Sequence, residues 1–296
     1  MTAIDLAAAS TFLAGNGRLL DRRRLAFLLG RADTSAVLGA LDAYRTPDDG
    51  YGWGLEPDLR STDSQPAAAL HAMEVMAEIG PTTTPRAAKL CDWLENISLP
   101  DGGLPFALPI VDPEACSPIW TSADPTTSSL QITSAVAAQA HRVAQHDSVV
   151  ATHLWVSQAT RFCLDAIAAI GPEPHAYEVS FALQFLDAIA ASGLEVDHLI
   201  SGLSRHLSDD GSMPVVGGTE GETLHLLDFS PFPGRASRTF LSASAVAADV
   251  ARLAGLQEPD GGWTVDYATA SPAAALEWRG YATVRAVSTL LANPDR

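Results

Sequence analysis

Two carboxylates two residues apart, Glu56 and Asp58, stand in the segment Glu56-Pro57-Asp58-Leu59-Arg60, shortly before Ser64-Gln65-Pro66 opens a helix. At the entrance to a helix that borders a cavity they suit general acid and base work; on a solvated loop they would pair with Arg60 instead. His175 and Glu178 are three apart and share a helical face, a spacing that fits a proton-transfer pair, half a metal site, or a helix-start Glu favoured by the dipole beside a surface His. Asp124, in Ser122-Ala123-Asp124-Pro125-Thr126-Thr127, is a third acid flanked by a hydroxyl at Thr126, although Asp before Pro is also how many helices begin. His225 and Asp228 lie in a long apolar loop with Arg235 and Arg238 after it, where residues over a pocket often contribute to chemistry. Leu276-Glu277-Trp278-Arg279 introduces the last helix; Arg279 either stacks and pairs with Trp278 and Glu277 or binds an anionic substrate group.

The elements that must position these groups read as helices. Ala- and Leu-rich stretches with apolar residues at helical spacing cover about 4–14, 19–29, 34–44, 66–79, 85–97, 126–145, 150–170, 176–192, 240–256 and 278–292, and strand-like alternation is scarce. Between them the punctuation recurs: Pro47-Asp48-Asp49-Gly50, Pro100-Asp101-Gly102-Gly103, Asp209-Asp210-Gly211 and Pro259-Asp260-Gly261-Gly262. Taking Gly50, Gly102, Gly211 and Gly261 as equivalents gives gaps of 52, 109 and 50, so the middle gap holds two repeats with one turn degraded. A period near fifty residues accommodates two helices, and helix pairs that cannot bury a face alone must stack. Because the last repeat carries the strongest turn, closure into a ring is favoured over an open array. The expected fold is all-α, an (α/α) toroid of helix-pair repeats forming one domain over 1–296, with a long ordered loop at about 208–236 whose Met213, Val215, Leu224 and Phe229 argue for packing.

Composition narrows the partners. Forty-seven per cent of the residues are hydrophobic, which permits a sizeable core, and 18 Lys plus Arg against 35 Asp plus Glu leave a net charge of −17. Such a surface repels phosphate backbones and anionic headgroups, so nucleic acid is not an expected partner. No apolar run reaches the length of a membrane span, and Asp5 precedes the first apolar residues while Arg22-Arg23-Arg24 follows them, the reverse of a secretory signal. Cys91, Cys116 and Cys163 show no paired spacing. A cytoplasmic protein with reduced cysteines and no stable membrane insertion is expected.

Leu256-Gln257-Glu258-Pro259-Asp260-Gly261-Gly262-Trp263 resembles the Gln-Trp repeat of the squalene-cyclase and protein-prenyltransferase families, and Tyr44-Arg45-Thr46-Pro47-Asp48-Asp49-Gly50-Tyr51-Gly52-Trp53 looks like a second copy with Arg45 in place of Gln. The resemblance, spanning 44–263, implies a helical toroid around a central apolar cavity. It further implies a cyclase that protonates an alkene of a polyprenyl substrate, an isomerase or lyase reaction. Its Asp-x-Asp-Asp-Thr acid element is matched by Asp124 and Thr126, with Ser122 and Pro125 where the outer carboxylates would stand. Trp53, Trp120, Phe106, Tyr177, Trp263 and Trp278 are candidates for aromatic walls that stabilise cations, with Asp228, Glu277 and Arg279 as further substrate contacts. Neither a zinc ligand set nor an aspartate-rich magnesium motif is present, so no metal and no cofactor is expected. The sequence leaves two other uses of a toroid open: a carbohydrate-active hydrolase or lyase with paired carboxylates drawn from Glu56, Asp58, Glu178, Asp228 and Glu277, and a binding ring without chemistry.

Overall fold

The computed structural model describes residues 4–294. Its helices are α1 (Leu6–Asn16), α2 (Leu19–Leu28), α3 (Thr34–Leu41), α4 (Pro66–Glu78), α5 (Pro85–Ile97), α6 (Pro118–Thr121), α7 (Leu130–Ala144), α8 (Ser148–Ala151), α9 (Leu154–Ala168), α10 (Ala176–Ala190), α11 (Asp197–Ser204), α12 (Leu226–Phe229), α13 (Ala243–Gly255) and α14 (Pro272–Ala292). One small hairpin, β1 (Met213–Pro214) paired antiparallel with β2 (Thr223–Leu224), interrupts an otherwise all-α chain.

Local chemistry sets the helix starts. Asp5, Asp33, Ser129, Asp147 and Ser271 cap α1, α3, α7, α8 and α14 by accepting from first-turn amides, and Pro opens α4, α5, α6 and α14. Three expected helices differ in extent for this reason. The one expected from 126 starts at Leu130 behind the Ser129 cap, that expected at 150–170 divides at His153, and the last begins at Pro272. Helices α6, α11 and α12 lie outside the expected segments.

The helices close into a ring. α4, α7 and α10 pack side by side and α10 meets α12; α13 joins α12 to α14, and α14 returns to α1 and α2, which reach α4 through α3. α5, α9 and α11 back onto α4, α7 and α10 from outside. The large apolar core lies between these layers, and a second core joins Phe12 and Leu13 of α1 to Trp263 and to Val284, Val287 and Leu290 of α14. No helix among the described residues is long and apolar enough to cross a membrane.

Four turns share one construction. Thr46 N–H donates to Gly50 O (3.1 Å), Leu99 to Gly103 (2.8 Å), Ser208 to Ser212 (2.9 Å) and Glu258 to Gly262 (2.8 Å). Asp48, Asp101, Asp210 and Asp260 each accept from the amide two residues on. The left-handed position is taken by Gly102, Gly211 and Gly261, and in the first turn by Asp49 at φ 68°. Asp49, rather than Gly50, is thus the equivalent of Gly102, which moves the register of the repeat by one. The missing turn falls between α9 and α10, at residues 169–175, where no such closing bond forms. At Gly261 a Cβ would lie 2.3 Å from Ala8 C, so only glycine lets this turn meet α1. Gln257 completes that junction: its amide donates to Gly261 O and Asp5 O and accepts from Asp5 N–H.

Candidate functional site

The loop after the first turn carries Glu56 and Asp58 into the interior, where both are buried. Ala270 N–H and Trp278 Nε1–H each donate to the Asp58 carboxylate at 2.6 Å. Burial nonetheless pushes the Asp58 carboxyl above the ordinary aspartate range against these two bonds, and neighbouring Glu56 acts in the same direction. Glu56 Oε2 lies 2.9 Å from His71 Nε2. Burial alone would lower the His71 pKa, but hydrogen bonds and charge from Glu56 and Glu74 outweigh it and hold it up at about 9, so the ring is an imidazolium at neutral pH.

A polar stripe on α4 continues this site. His71, Glu74 and Glu78 follow helical spacing, and Trp278, Tyr281 and Arg285 repeat the same intervals on α14. His71 meets Trp278 edge-on at 5.9 Å, and Tyr281 O–H donates to Glu74 at 3.0 Å. His71 also meets Tyr281 edge-on at 5.1 Å, so the Trp278–Tyr281 turn of α14 faces the His71–Glu74 turn of α4. Arg24 of α2 grips Glu78 through two bonds of 2.7 and 2.6 Å and lies over the Tyr281 ring. Burial would raise the Glu74 carboxyl, but Arg24, His71 and Tyr281 hold it well below its usual range.

Tyr267 and Tyr281 each stand edge-on to Trp278, at 5.2 and 5.5 Å, so an aromatic corner abuts Asp58. Opposite, Arg285 pairs with Asp228 at 3.1 Å, and these side chains keep 40% and 31% of their surface accessible although Tyr281, Glu74 and Tyr267 surround the guanidinium. They face open space rather than packed core. Charged pairs, Arg24 with Glu74 and Glu78 and Arg285 with Asp228, thus stand beside the aromatic corner, where an apolar lining was expected. No three His, Cys, Asp or Glu side chains among the described residues converge as metal-ion ligands.

The sequence-derived candidates divide into three groups. Glu56, Asp58 and Trp278 come together, Glu277 holds Arg60 at 2.6 Å beside them, and Asp228 faces them through Arg285. Tyr177 donates to Glu222 at 2.9 Å and lies between His175 and Phe181.

A second group is structural. His175 and Glu178 form a capping box on α10, with His175 Nε2 near Val216 O, so they are not a proton-transfer pair. Trp263 is buried with its Nε1–H on Leu253 O, and Arg279 grips Asp260 at 2.8 and 2.9 Å while stacking on Phe12; both fasten the ring junction rather than a substrate.

The third group lies on connecting segments, exposed at Asp124 and Trp53 and half-buried at Trp120, whose segment reaches the Asp58 loop through Ser117 N–H donating to Asp58 O at 2.8 Å. Asp124 is exposed and accepts from Thr126 N–H, Thr126 Oγ1 and Thr127 Oγ1, bonds that hold its carboxyl below the ordinary value. An acid strong enough for an alkene needs the opposite environment, so Asp124 is a turn residue and Thr126 its partner. Trp53 is 56% exposed, and Trp120 stacks on Phe106 at 4.7 Å in the excursion before α7. Arg24, His71, Glu74, Tyr267, Tyr281 and Arg285 escaped the sequence reading. The available signal was polar residues at helical spacing, His71, Glu74 and Glu78, inside an otherwise Ala- and Val-rich helix.

No protein-family model matches the chain, and no curated protein matches it in sequence. Solved structures do. A structure of the type II terpene cyclase MstE from Scytonema in complex with the product merosterolic acid A is 14% identical with a TM-score of 0.54, over 97% of this chain and 95% of that one. A second MstE structure, in complex with the substrate geranylgeranyl dihydroxybenzoate, is 14% identical with a TM-score of 0.50, over 97% and 87%. The chain has a terpenoid-cyclase-like fold.

Proposed function

We propose that this protein is a type II terpene cyclase in which Asp58 is the protonating acid. The observation that carries the reading is the Asp58 carboxyl itself: buried, raised in pKa, and held by Trp278 against an aromatic corner. Asp58 O–H delivers its proton to a terminal alkene of a polyprenyl substrate, forming a C–H bond and a tertiary cation. Internal alkenes attack in turn, and loss of a proton ends the cascade. The faces of Trp278, Tyr267 and Tyr281 stabilise the migrating charge. The fold shared with type II terpene cyclases supports the assignment. The charged rim formed by Arg24, Glu74, Arg285 and Asp228 favours a substrate with a polar end over a pure hydrocarbon.

One observation favours a second reading. Glu56, Asp58, Glu74, Asp228 and Glu222 gather about the interior, as a carbohydrate-active hydrolase or lyase would need. The deciding experiment is mass spectrometry of products after incubation with farnesyl diphosphate, geranylgeranyl diphosphate, squalene and prenylated phenols, alongside neutral oligosaccharides. Cyclic isoprenoids made by the wild type and not by Asp58→Asn are expected. Turnover of sugars alone, or cyclisation that survives Asp58→Asn, overturns the proposal.

A further inference from the structure

At the far end of α7 and α10, Gln139, Arg142, Gln184, Asp187, Phe232 and Arg235 line a partly enclosed cavity of about 30 Å³. Arg142 Nη1 donates to Gln139 Oε1 at 2.5 Å, and its guanidinium lies over the Phe232 ring at 5.6 Å. Among the described residues neither Arg142 nor Arg235 has a carboxylate at ion-pairing distance. Asp187, the acid in the wall, already accepts from Ser237 N–H at 2.8 Å and Ser237 O–H at 2.6 Å. Asp187 attracts Arg235 through space but is bonded to Ser237, so in a chain of net charge −17 two guanidiniums share a cavity with no direct ion-pair partner for either. Burial lowers the Arg142 guanidinium from its ordinary value; Glu78 and Glu74 oppose this and Arg235 reinforces it. The dipole of α7 accounts for a basic residue in its last turn, but neither for Arg235 nor for the cavity.

We propose that this cavity is an oxyanion site in which Arg142 and Arg235 take the edge of a carboxylate or phosphate, with the Gln139 amide as a further donor. Its volume suits two oxygen-sized atoms, at the roughly 10–15 Å³ each requires, and the planar guanidinium matches a two-oxygen edge. The anion is either a free ion or the charged end of a longer ligand. The second possibility rests on the cyclase reading. Asp58 meets α4 near His71 and Arg142 senses Glu78 at its end, a separation on the order of 10 Å along the helix. A chain anchored by its anion at one end would then present its other end to the acid.

Calorimetric titration of the whole protein with inorganic phosphate and with farnesyl monophosphate tests the site, farnesol serving as the uncharged control. At least one anion is expected to bind the wild type, about tenfold or more weaker in Arg142→Gln and in Arg235→Gln. Equal affinity for both anions identifies a free ion, and binding of farnesyl phosphate alone identifies the charged end of a longer ligand; either upholds the site. Arg235 lies in a loop, so Arg235→Gln decides the matter if Arg142→Gln fails to fold. No binding by the wild type, affinity unchanged in the arginine variants, or equal binding of farnesol overturns the proposal. Asp58→Asn should bind the anions like the wild type, so failure of the cyclase reading leaves this result intact.

Discussion

The indole N–H of Trp278 donates to Asp58 Oδ2 at 2.6 Å, joining the loop before α4 to the second turn of α14 across 220 residues. This bond fixes where the Asp58 carboxyl points and tunes how readily it ionises. Asp58→Asn is expected to lower cyclisation by at least about a hundredfold, the usual contribution of a positioned general acid, while leaving the circular dichroism spectrum unchanged.

Trp278→Phe separates position from acidity. A hydrogen bond to the carboxylate favours its charged form, so removing the indole donor raises the Asp58 pKa further. A general acid works while protonated. The alkaline limb of the pH–rate profile should therefore move to higher pH in Trp278→Phe, and a limb that stays put or moves down would count against Asp58 as the acid.

His71 gives the fold a pH signature. Its folded-state pKa, about 9, exceeds the ordinary histidine value of 6.5. The stability it adds is then fully present below the lower value and lost as pH rises through about 9. Urea denaturation at a series of pH values between these limits should show stability falling toward alkaline pH, and His71→Gln should flatten that slope.

Asp124→Asn makes a control with a definite outcome. Its exposed turn touches neither the core nor the interior, so stability should change by no more than about 0.5 kcal/mol and product formation should be that of the wild type. Loss of cyclisation in this variant would restore Asp124 as a candidate.

Trp263→Ala addresses the ring junction. Truncating a buried tryptophan costs about 3–5 kcal/mol, and here it also removes the shorter of two bonds to Leu253 O, leaving Leu256 N–H at 3.3 Å. Denaturant titration should record that loss, whereas Trp53→Ala, on an exposed side chain, should cost little.

The fold was legible because its punctuation is local. A Pro-Asp-Asp-Gly or Pro-Asp-Gly-Gly segment bends the chain through its own dihedrals and its own aspartate, so four residues in order suffice to see it. The proposed acid was less sharply legible: Asp58 stood beside Asp124, Glu56 and Glu178 as one of several candidates. Asp124 and Asp58 carry the same side chain, and what separates them is burial and two N–H donors supplied by residues more than 200 positions from Asp58. Trp263 and Arg279 were misplaced for a related reason, since a buried aromatic and a paired guanidinium serve a junction as well as a pocket. The stripe from His71 to Glu78 needed only attention to polar residues on an apolar helix.

The junction between α1 and the turn at 257–262 carries a consequence for the order of folding. Asp5 and Gln257 exchange hydrogen bonds across 252 residues, and Phe12 finds Arg279 and the second core only once α14 exists. Until α14 forms, the first helix has only α2 to cover its apolar side. Contacts this distant in sequence slow the search for the native state. Chaperone dependence should therefore track truncation of α14 more closely than truncation of any other helix.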